Sequence, residues 1–131
     1  MTLPLVTLGW TLVLAMVQVS LPSVLKTRQY GIRWNTSARD EAMPEPWEVT
    51  QRLERAQANL FENLPVFAAA VLLAHVADRE TSLTAIGAQI FLWARVTYVP
   101  LYAGGVPVVR SLVYLVSLVG LGMVLFPLLV P

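Results

Sequence analysis

Cysteine is absent from the 131-residue chain, histidine occurs once, and only 13% of the residues are charged. Without cysteine the chain has no disulfides, no thiolate nucleophile and no Cys-based metal site, and the single histidine, His75, disfavours a His-based one. Nine Lys and Arg against eight Asp and Glu give a net charge of +1, whereas a nucleic-acid binder needs a basic face. A soluble domain carries roughly twice this charged fraction. The composition therefore disfavours a soluble enzyme, a disordered segment and a nucleic-acid binder.

Long apolar runs separate the few charges. Residues 1–25 and 63–77 contain no Asp, Glu, Lys or Arg, and beyond Thr81 only Arg95 and Arg110 do. A membrane-spanning helix needs about 20 mostly apolar residues, so the pattern predicts four spans, at about 3–25, 57–77, 82–103 and 107–129. We therefore predict an all-α, multi-pass integral membrane protein with a four-transmembrane-helix bundle, forming one domain over residues 1–131.

The polar segment 26–56 is predicted to be the one long loop, in which Pro44 and Pro46 exclude a continuous helix. This loop holds six of the nine basic residues, whereas Arg79 is the only basic residue predicted on the opposite side. By the positive-inside rule, we expect the loop to be cytoplasmic and both termini to be non-cytoplasmic.

Polar residues recur at helical spacing on three of the predicted spans. Residues at i, i+3 or i+4, and i+7 share one helix face. The three stripes are Arg55, Asn59 and Glu62; Arg95, Tyr98 and Tyr102; and Arg110, Tyr114 and Ser117. With alternating topology they converge in one leaflet, where ionisable residues usually face a bundle interior or a cavity. Arginine binds carboxylates and phosphates bidentately, so the pattern predicts a pocket for a small anionic or zwitterionic molecule.

Other interpretations of these residues remain open. Arg55 could pair with Glu62, and Arg95 across helices, with the side chains reaching the interface. A small transporter or channel subunit could use Glu62 as an ion site, although the ionisable groups cluster in one leaflet and do not cross the membrane. Gly120 and Gly122 are expected to allow close helix contact.

The run RAQANLFENLPVF, from Arg55 to Phe67, resembles the R-x-x-x-N-x-x-E-x-x-P-x-F signature of the MAPEG family, the membrane-associated proteins of eicosanoid and glutathione metabolism. The resemblance extends to RVTYVPLY, from Arg95, and to VPVVRSLVY, from Val106. It covers essentially the whole chain, which looks most like small bacterial members. It implies a homotrimer of four-helix subunits in a bacterial inner membrane, with glutathione held between neighbouring subunits near the cytosolic face.

The resemblance also implies roles for individual residues. The positions that match the family's glutathione-binding residues are Arg55, Asn59, Glu62, Arg95, Tyr98 and Tyr102, with Gln57 and the loop residue Arg28 (or Lys26) as looser matches. Arg110 matches the arginine beside the thiol, and Ser111 matches the serine next to it in the prostaglandin branch, whereas Tyr98 occupies a position that varies in the family.

The function implied is that of a glutathione-dependent membrane transferase or peroxidase. Arg110 would stabilise the glutathione thiolate, which attacks a small lipophilic electrophile from the lipid bilayer or reduces a hydroperoxide, and Arg110 or Ser111 would donate a hydrogen bond to developing negative charge. The alternative is a non-catalytic lipid- or partner-binding membrane protein of the same fold. No metal site is predicted.

Overall fold

Five α-helices make up the part of the chain that the computed structural model describes, residues 1–130, and this part contains no strand. The helices are α1 (Leu3–Tyr30), α2 (Ile32–Thr36), α3 (Glu48–Val76), α4 (Ser82–Ala103) and α5 (Pro107–Leu129). The prediction of an all-helical chain is therefore confirmed.

The polar loop is shorter than the sequence predicts. Because α1 continues to Tyr30 and α3 already begins at Glu48, the predicted loop 26–56 reduces to residues 31–47, which include the short α2. The prediction was wrong here because the bilayer-length rule detects only the apolar part of a helix. An ion pair of 2.6 Å between Lys26 and Glu54 joins the two polar extensions. By contrast, α4 and α5 begin and end at the predicted residues.

Three of the helices, α1, α3 and α5, are long and apolar enough to span a membrane. At 22 residues, α4 has sufficient length but is not one of the three, since polar residues such as Gln89 and Arg95 interrupt its apolar sequence. The chain is thus a helical membrane protein, and a crossing by α4 stays a prediction.

The core of the bundle lies where α3, α4 and α5 meet. Phe67 of α3 and Phe91 of α4 are fully buried and stack with their ring centroids 4.1 Å apart. Val124 of α5 is fully buried in the same cluster. On the α1 side, the Gln89 amide donates a hydrogen bond of 2.6 Å to the Thr7 hydroxyl, which ties α1 to α4.

Helices α4 and α5 pack closely at Gly87 of α4 and Gly120 of α5. A Cβ atom on Gly87 would lie 2.6 Å from the Gly120 carbonyl oxygen, and one on Gly120 would lie 2.6 Å from the Gly87 carbonyl oxygen. Only glycine fits at such a separation. The expectation of close contact therefore holds for Gly120 but not for Gly122, where a Cβ would meet nothing within 4 Å among the described residues.

The two ends of the bundle differ. The loop end consists of residues 31–47 and the α4–α5 turn, 104–106. There the Gln29 side chain donates to the Glu45 carbonyl and accepts from the Trp47 amide, which fixes the proline-containing segment against α1.

The terminal end consists of residues 1–2, 77–81 and 130. Here Arg79 donates to the Val130 carbonyl and His75 shares a hydrogen bond with Glu80. Burial alone would raise the pKa of the Glu80 carboxyl, but hydrogen bonds with Thr2 and His75 and the charge on His75 outweigh burial and lower that pKa.

Candidate functional site

Arginine and tyrosine side chains of α3, α4 and α5 meet near the loop end. We call this set the arginine–tyrosine cluster; its members are Arg55, Arg95, Tyr98, Tyr102, Arg110 and Tyr114. Tyr102 is its common contact, because the guanidinium carbon of Arg110 lies 4.5 Å from the centroid of its ring and that of Arg55 lies 6.0 Å away. The Tyr98 ring contacts Tyr102 edge-on at 5.4 Å. Each of the three sequence stripes thus contributes at least one residue to the cluster.

Arg95 is the most buried member of the cluster, a residue only 1% exposed. Its guanidinium carbon lies 4.5 Å from the ring centroid of Tyr98 and 5.7 Å from that of Tyr114. None of its three side-chain nitrogens has a hydrogen-bond partner within residues 1–130. Burying an unpaired charge costs several kcal/mol, and cation–π contacts offset about 2 kcal/mol of this. Arg95 therefore retains unused donors and positive charge beside the tyrosines.

No arginine of the cluster is neutralised by a carboxylate in the described part of the chain. The ion pairs there are Lys26–Glu54, Arg52–Glu48 and His75–Glu80. Arg55 and Glu62 are both exposed and do not pair with each other. The interpretation of Arg55 and Glu62 as a structural ion pair is therefore wrong within the described chain, and the cluster carries an uncompensated positive charge.

The α4–α5 turn places Tyr102 and Arg110 on the same side of the cluster. Gly105 has φ +71, a left-handed conformation that favours glycine, and its amide donates to the Tyr102 carbonyl at 3.0 Å. Pro107 then starts α5 at a position where a missing backbone donor costs nothing.

Arg52 is a residue near the cluster whose role the sequence analysis missed. Its guanidinium donates to the Ala103 carbonyl at 3.4 Å and lies against Gly105, where a Cβ would approach its central carbon to 3.1 Å. Arg52 thus holds the α4–α5 turn against α3. The sequence did contain a signal for Arg52. It stands three residues before Arg55, so both arginines lie on one helix face.

Two other predicted residues, Asn59 of α3 and Ser111 of α5, make side-chain hydrogen bonds with neither the arginines nor the tyrosines of the cluster. Asn59 is half-buried and its side-chain oxygen has no partner among the described residues, although its carbonyl accepts from Asn63 at 3.2 Å. Ser111 is exposed and donates to the Pro107 carbonyl of its own helix at 3.2 Å. The structure therefore leaves the Asn59 oxygen free to accept, while the Ser111 hydroxyl is already engaged.

Gln57 and Arg28 lie away from the cluster. Gln57 lines a separate groove of about 390 Å³ between α1 and α3, together with Val19, Lys26, Trp34, Arg39, Glu54 and Phe61. Arg28 is exposed and is not among the residues that line this α1–α3 groove, and it is not a member of the cluster. The structure of the single chain does not bring these two residues to the other predicted site residues.

The chemistry available to the cluster follows from its side chains. Three guanidiniums without acidic partners provide donors for carboxylates or a thiolate, and the Asn59 oxygen provides an acceptor. Among residues 1–130 no group of His, Cys, Asp or Glu could hold a metal ion. The cluster is suited to binding a small molecule that carries more negative than positive charge.

Comparison with known proteins bears on the whole chain. No curated protein and no solved structure matches it significantly. The model of the MAPEG family matches residues 7–130, nearly the whole length. This match includes all three stripes and the α4–α5 turn, and the chain therefore belongs to the MAPEG family.

Proposed function

We propose that this protein is a glutathione-dependent membrane transferase or peroxidase that acts on a lipophilic electrophile or hydroperoxide. The observation that carries the proposal is the stacking of Arg110 and Arg55 on the Tyr102 ring with no carboxylate to neutralise either. Membership of a family associated with glutathione metabolism supports it.

Glutathione fits the groups that the cluster offers. The tripeptide has two carboxylates, one ammonium group and a thiol. A site that binds it therefore needs more positive than negative groups. Arg55 and Arg95 would hold carboxylates through charge-assisted hydrogen bonds. The exposed carboxylate of Glu62 and the free oxygen of Asn59 would accept from the ammonium group. Tyr98 and Tyr102 would line the same site.

Arg110 would perform the central chemical task. Glutathione, when bound, supplies the sulfur nucleophile, which explains how a chain without cysteine could carry out thiol chemistry. A nearby guanidinium stabilises a thiolate and lowers the thiol pKa. The guanidinium carbon of Arg110 lies 4.5 Å from the centroid of the Tyr102 ring. This contact would position the Arg110 charge before any ligand binds. Ser111 would be a second donor only after leaving the Pro107 carbonyl.

The separation of Gln57 and Arg28 from the cluster supports a site shared between subunits. In a homotrimer, one subunit would present the cluster and its neighbour would present Gln57 and Arg28. We further propose that all four long helices cross a bacterial inner membrane, with the loop end cytoplasmic and both termini non-cytoplasmic. Six of the nine basic residues lie in segment 26–56, which comprises most of the loop end and the adjoining ends of α1 and α3.

Direct binding of glutathione to the protein purified in a non-ionic detergent tests the proposal. We expect saturable binding, measured by calorimetry, and turnover of at least one member of a panel of electrophiles and hydroperoxides. Ophthalmic acid, which lacks the thiol, is the matched ligand and should bind without supporting turnover. Binding without any turnover would favour the non-catalytic alternative, and absence of binding would contradict both the cofactor and the mechanism. Mass in the detergent micelle reports whether the protein is a trimer.

A further inference from the structure

The α4–α5 turn joins the two residues that place the charge needed for the proposed chemistry. Tyr102 is the last residue but one of α4, Arg110 lies near the start of α5, and the guanidinium carbon of Arg110 stands 4.5 Å from the centroid of the Tyr102 ring. Because residues 104–106 alone separate the two helices, a change in this turn moves Arg110 relative to Tyr102. The conformation of the turn therefore determines where the Arg110 charge lies.

Few interactions within the turn fix its conformation. Two consecutive glycines, Gly104 and Gly105, give its backbone wide conformational freedom, and residues 104–106 are all exposed. The amides of Gly105 and Val106 donate to carbonyls near the end of α4 at 3.0 Å and 3.1 Å, but no side chain caps the start of α5. A contact from another helix is therefore needed to hold the turn in one conformation.

Arg52 of α3 makes such a contact. One of its nitrogens donates to the Ala103 carbonyl at 3.4 Å, and a Cβ on Gly105 would approach its central carbon to 3.1 Å. A cation is favourable at this carbonyl because the C-terminus of a helix carries partial negative charge, and α4 has no basic residue in its own last turn. A second nitrogen of Arg52 pairs with Glu48 at 3.4 Å. Arg52 is thus the C-terminal cation of α4, although it belongs to α3.

We propose that Arg52 is a positioning residue: it holds the α4–α5 turn so that Arg110 stays on the Tyr102 ring, where Arg110 stabilises the glutathione thiolate. Arg52 acts through Arg110 and does not itself bind glutathione, since its guanidinium is directed at the turn and at Glu48. Its effect on the reaction therefore requires Arg110. This inference rests on the proposed function, whereas the contact of Arg52 with the turn can be tested without glutathione.

Hydrogen–deuterium exchange of the full-length protein in a non-ionic detergent, without ligand, tests whether Arg52 holds the turn. Arg52→Gln should increase exchange at the Gly105 and Val106 amides, because local opening of the turn breaks their hydrogen bonds. Arg52→Lys, which keeps a cation able to donate to the same carbonyl, should increase exchange less. Arg33→Gln, an equal loss of charge at an exposed residue of α2, should leave exchange of the turn unchanged.

Kinetics with glutathione and an electrophile that the wild type turns over test the consequence for the reaction. Arg52→Gln should lower kcat about tenfold, less than the 100-fold that a misplacement of about 1 Å can cause. It should shift the ultraviolet band of the thiolate to higher pH and change glutathione affinity by less than about twofold. In the Arg110→Gln background the same substitution should lower kcat by less than about twofold, because the effects of residues that act through one another are not additive.

Three results would overturn the inference. Unchanged exchange of the turn in Arg52→Gln would do so whether or not the protein binds glutathione, whereas absence of binding in the wild type contradicts the proposed function itself. Independent, multiplying losses of kcat in the double variant would give Arg52 a role apart from Arg110. A loss of glutathione affinity with the thiolate band unchanged would make Arg52 a binding residue. Unfolding temperatures establish that the variants are folded, and Arg52→Lys retains the test if Arg52→Gln is not.

Discussion

Arg110 stacks on Tyr102, with its guanidinium carbon 4.5 Å from the ring centroid, although the two residues belong to different helices. The contact spans the α4–α5 turn that Arg52 holds against α3. Arg55 reaches the same ring from α3 at 6.0 Å. One phenol ring thus fixes the relative positions of two cations that would otherwise repel each other.

Replacement of Arg110 should separate chemistry from binding. We expect Arg110→Gln to lower glutathione-dependent turnover about 100-fold, as for loss of one preorganised donor, with a much smaller loss of glutathione affinity. The ultraviolet band of the thiolate should appear at higher pH in the variant, since loss of a positive neighbour raises the thiol pKa. Tyr102→Phe keeps the stacking ring and is the control. Identical titration curves for the wild type and Arg110→Gln would eliminate Arg110 as the activating residue.

Arg55 should contribute to affinity rather than to folding. It is exposed and has no acidic partner among residues 1–130, so Arg55→Ala should leave the unfolding temperature unchanged. Glutathione binding should weaken by about 1.5–3 kcal/mol, the usual contribution of a charged hydrogen bond. Arg55→Lys should recover only part of this if the contact is bidentate. Calorimetry measures both variants, and unchanged affinity in both would exclude Arg55 from the site.

We expect the buried charge of Arg95 to lower the stability of the folded protein. Its buried guanidinium has no hydrogen-bond partner among the described residues, and apolar replacements of poorly compensated buried charges often stabilise proteins by about 1–4 kcal/mol. We expect Arg95→Met to raise the unfolding temperature in detergent and to weaken glutathione binding. A lower unfolding temperature would show instead that the stacking of Arg95 on Tyr98 stabilises the bundle.

The contact between α4 and α5 should not tolerate a methyl group. Gly87→Ala and Gly120→Ala each place a Cβ 2.6 Å from a carbonyl oxygen of the other helix, and overpacking of this kind costs about 1–3 kcal/mol. Gly122→Ala is the matched control, because nothing described lies within 4 Å of its Cβ. Chemical unfolding in mixed micelles measures the difference. Equal effects at all three positions would indicate loss of glycine flexibility and not a steric clash.

Reporter fusions test the orientation. A reporter after the C-terminus should be non-cytoplasmic, and one inserted at residues 37–43, between α2 and α3, should be cytoplasmic. If both reporters lie on the same side, the number of crossings is not four, and α4, which is not among the three helices long and apolar enough to span a membrane, is the first helix to reconsider.

Sequence reasoning located the helices better where apolar segments end abruptly. Thr81 forms a capping box with Thr84, and Pro107 starts α5, so the bounds of α4 and α5 follow from local signals. The start of α3 at Glu48 could not be read from hydropathy, since its first two turns are polar and depend on contacts with α1.

The arginine–tyrosine cluster was predictable because helical periodicity fixes which residues share a face. The positions of Gln57 and Arg39 could not be predicted, because they depend on how α1, α2 and the loop pack together. No periodicity relates Arg39 to Trp34, since the strained backbone at residue 39 brings them into contact.

The glycine contact of α4 and α5 also restricts how a lipophilic molecule can approach the cluster. At Gly87 and Gly120 the two backbones touch, so no acyl chain can pass between the helices at that depth. Toward the loop end the same two helices border a shallow surface groove of about 340 Å³, lined by residues such as Trp93, Thr97 and Val113. A lipophilic molecule that reaches the cluster must therefore enter by a route other than the α4–α5 seam at the depth of the two glycines.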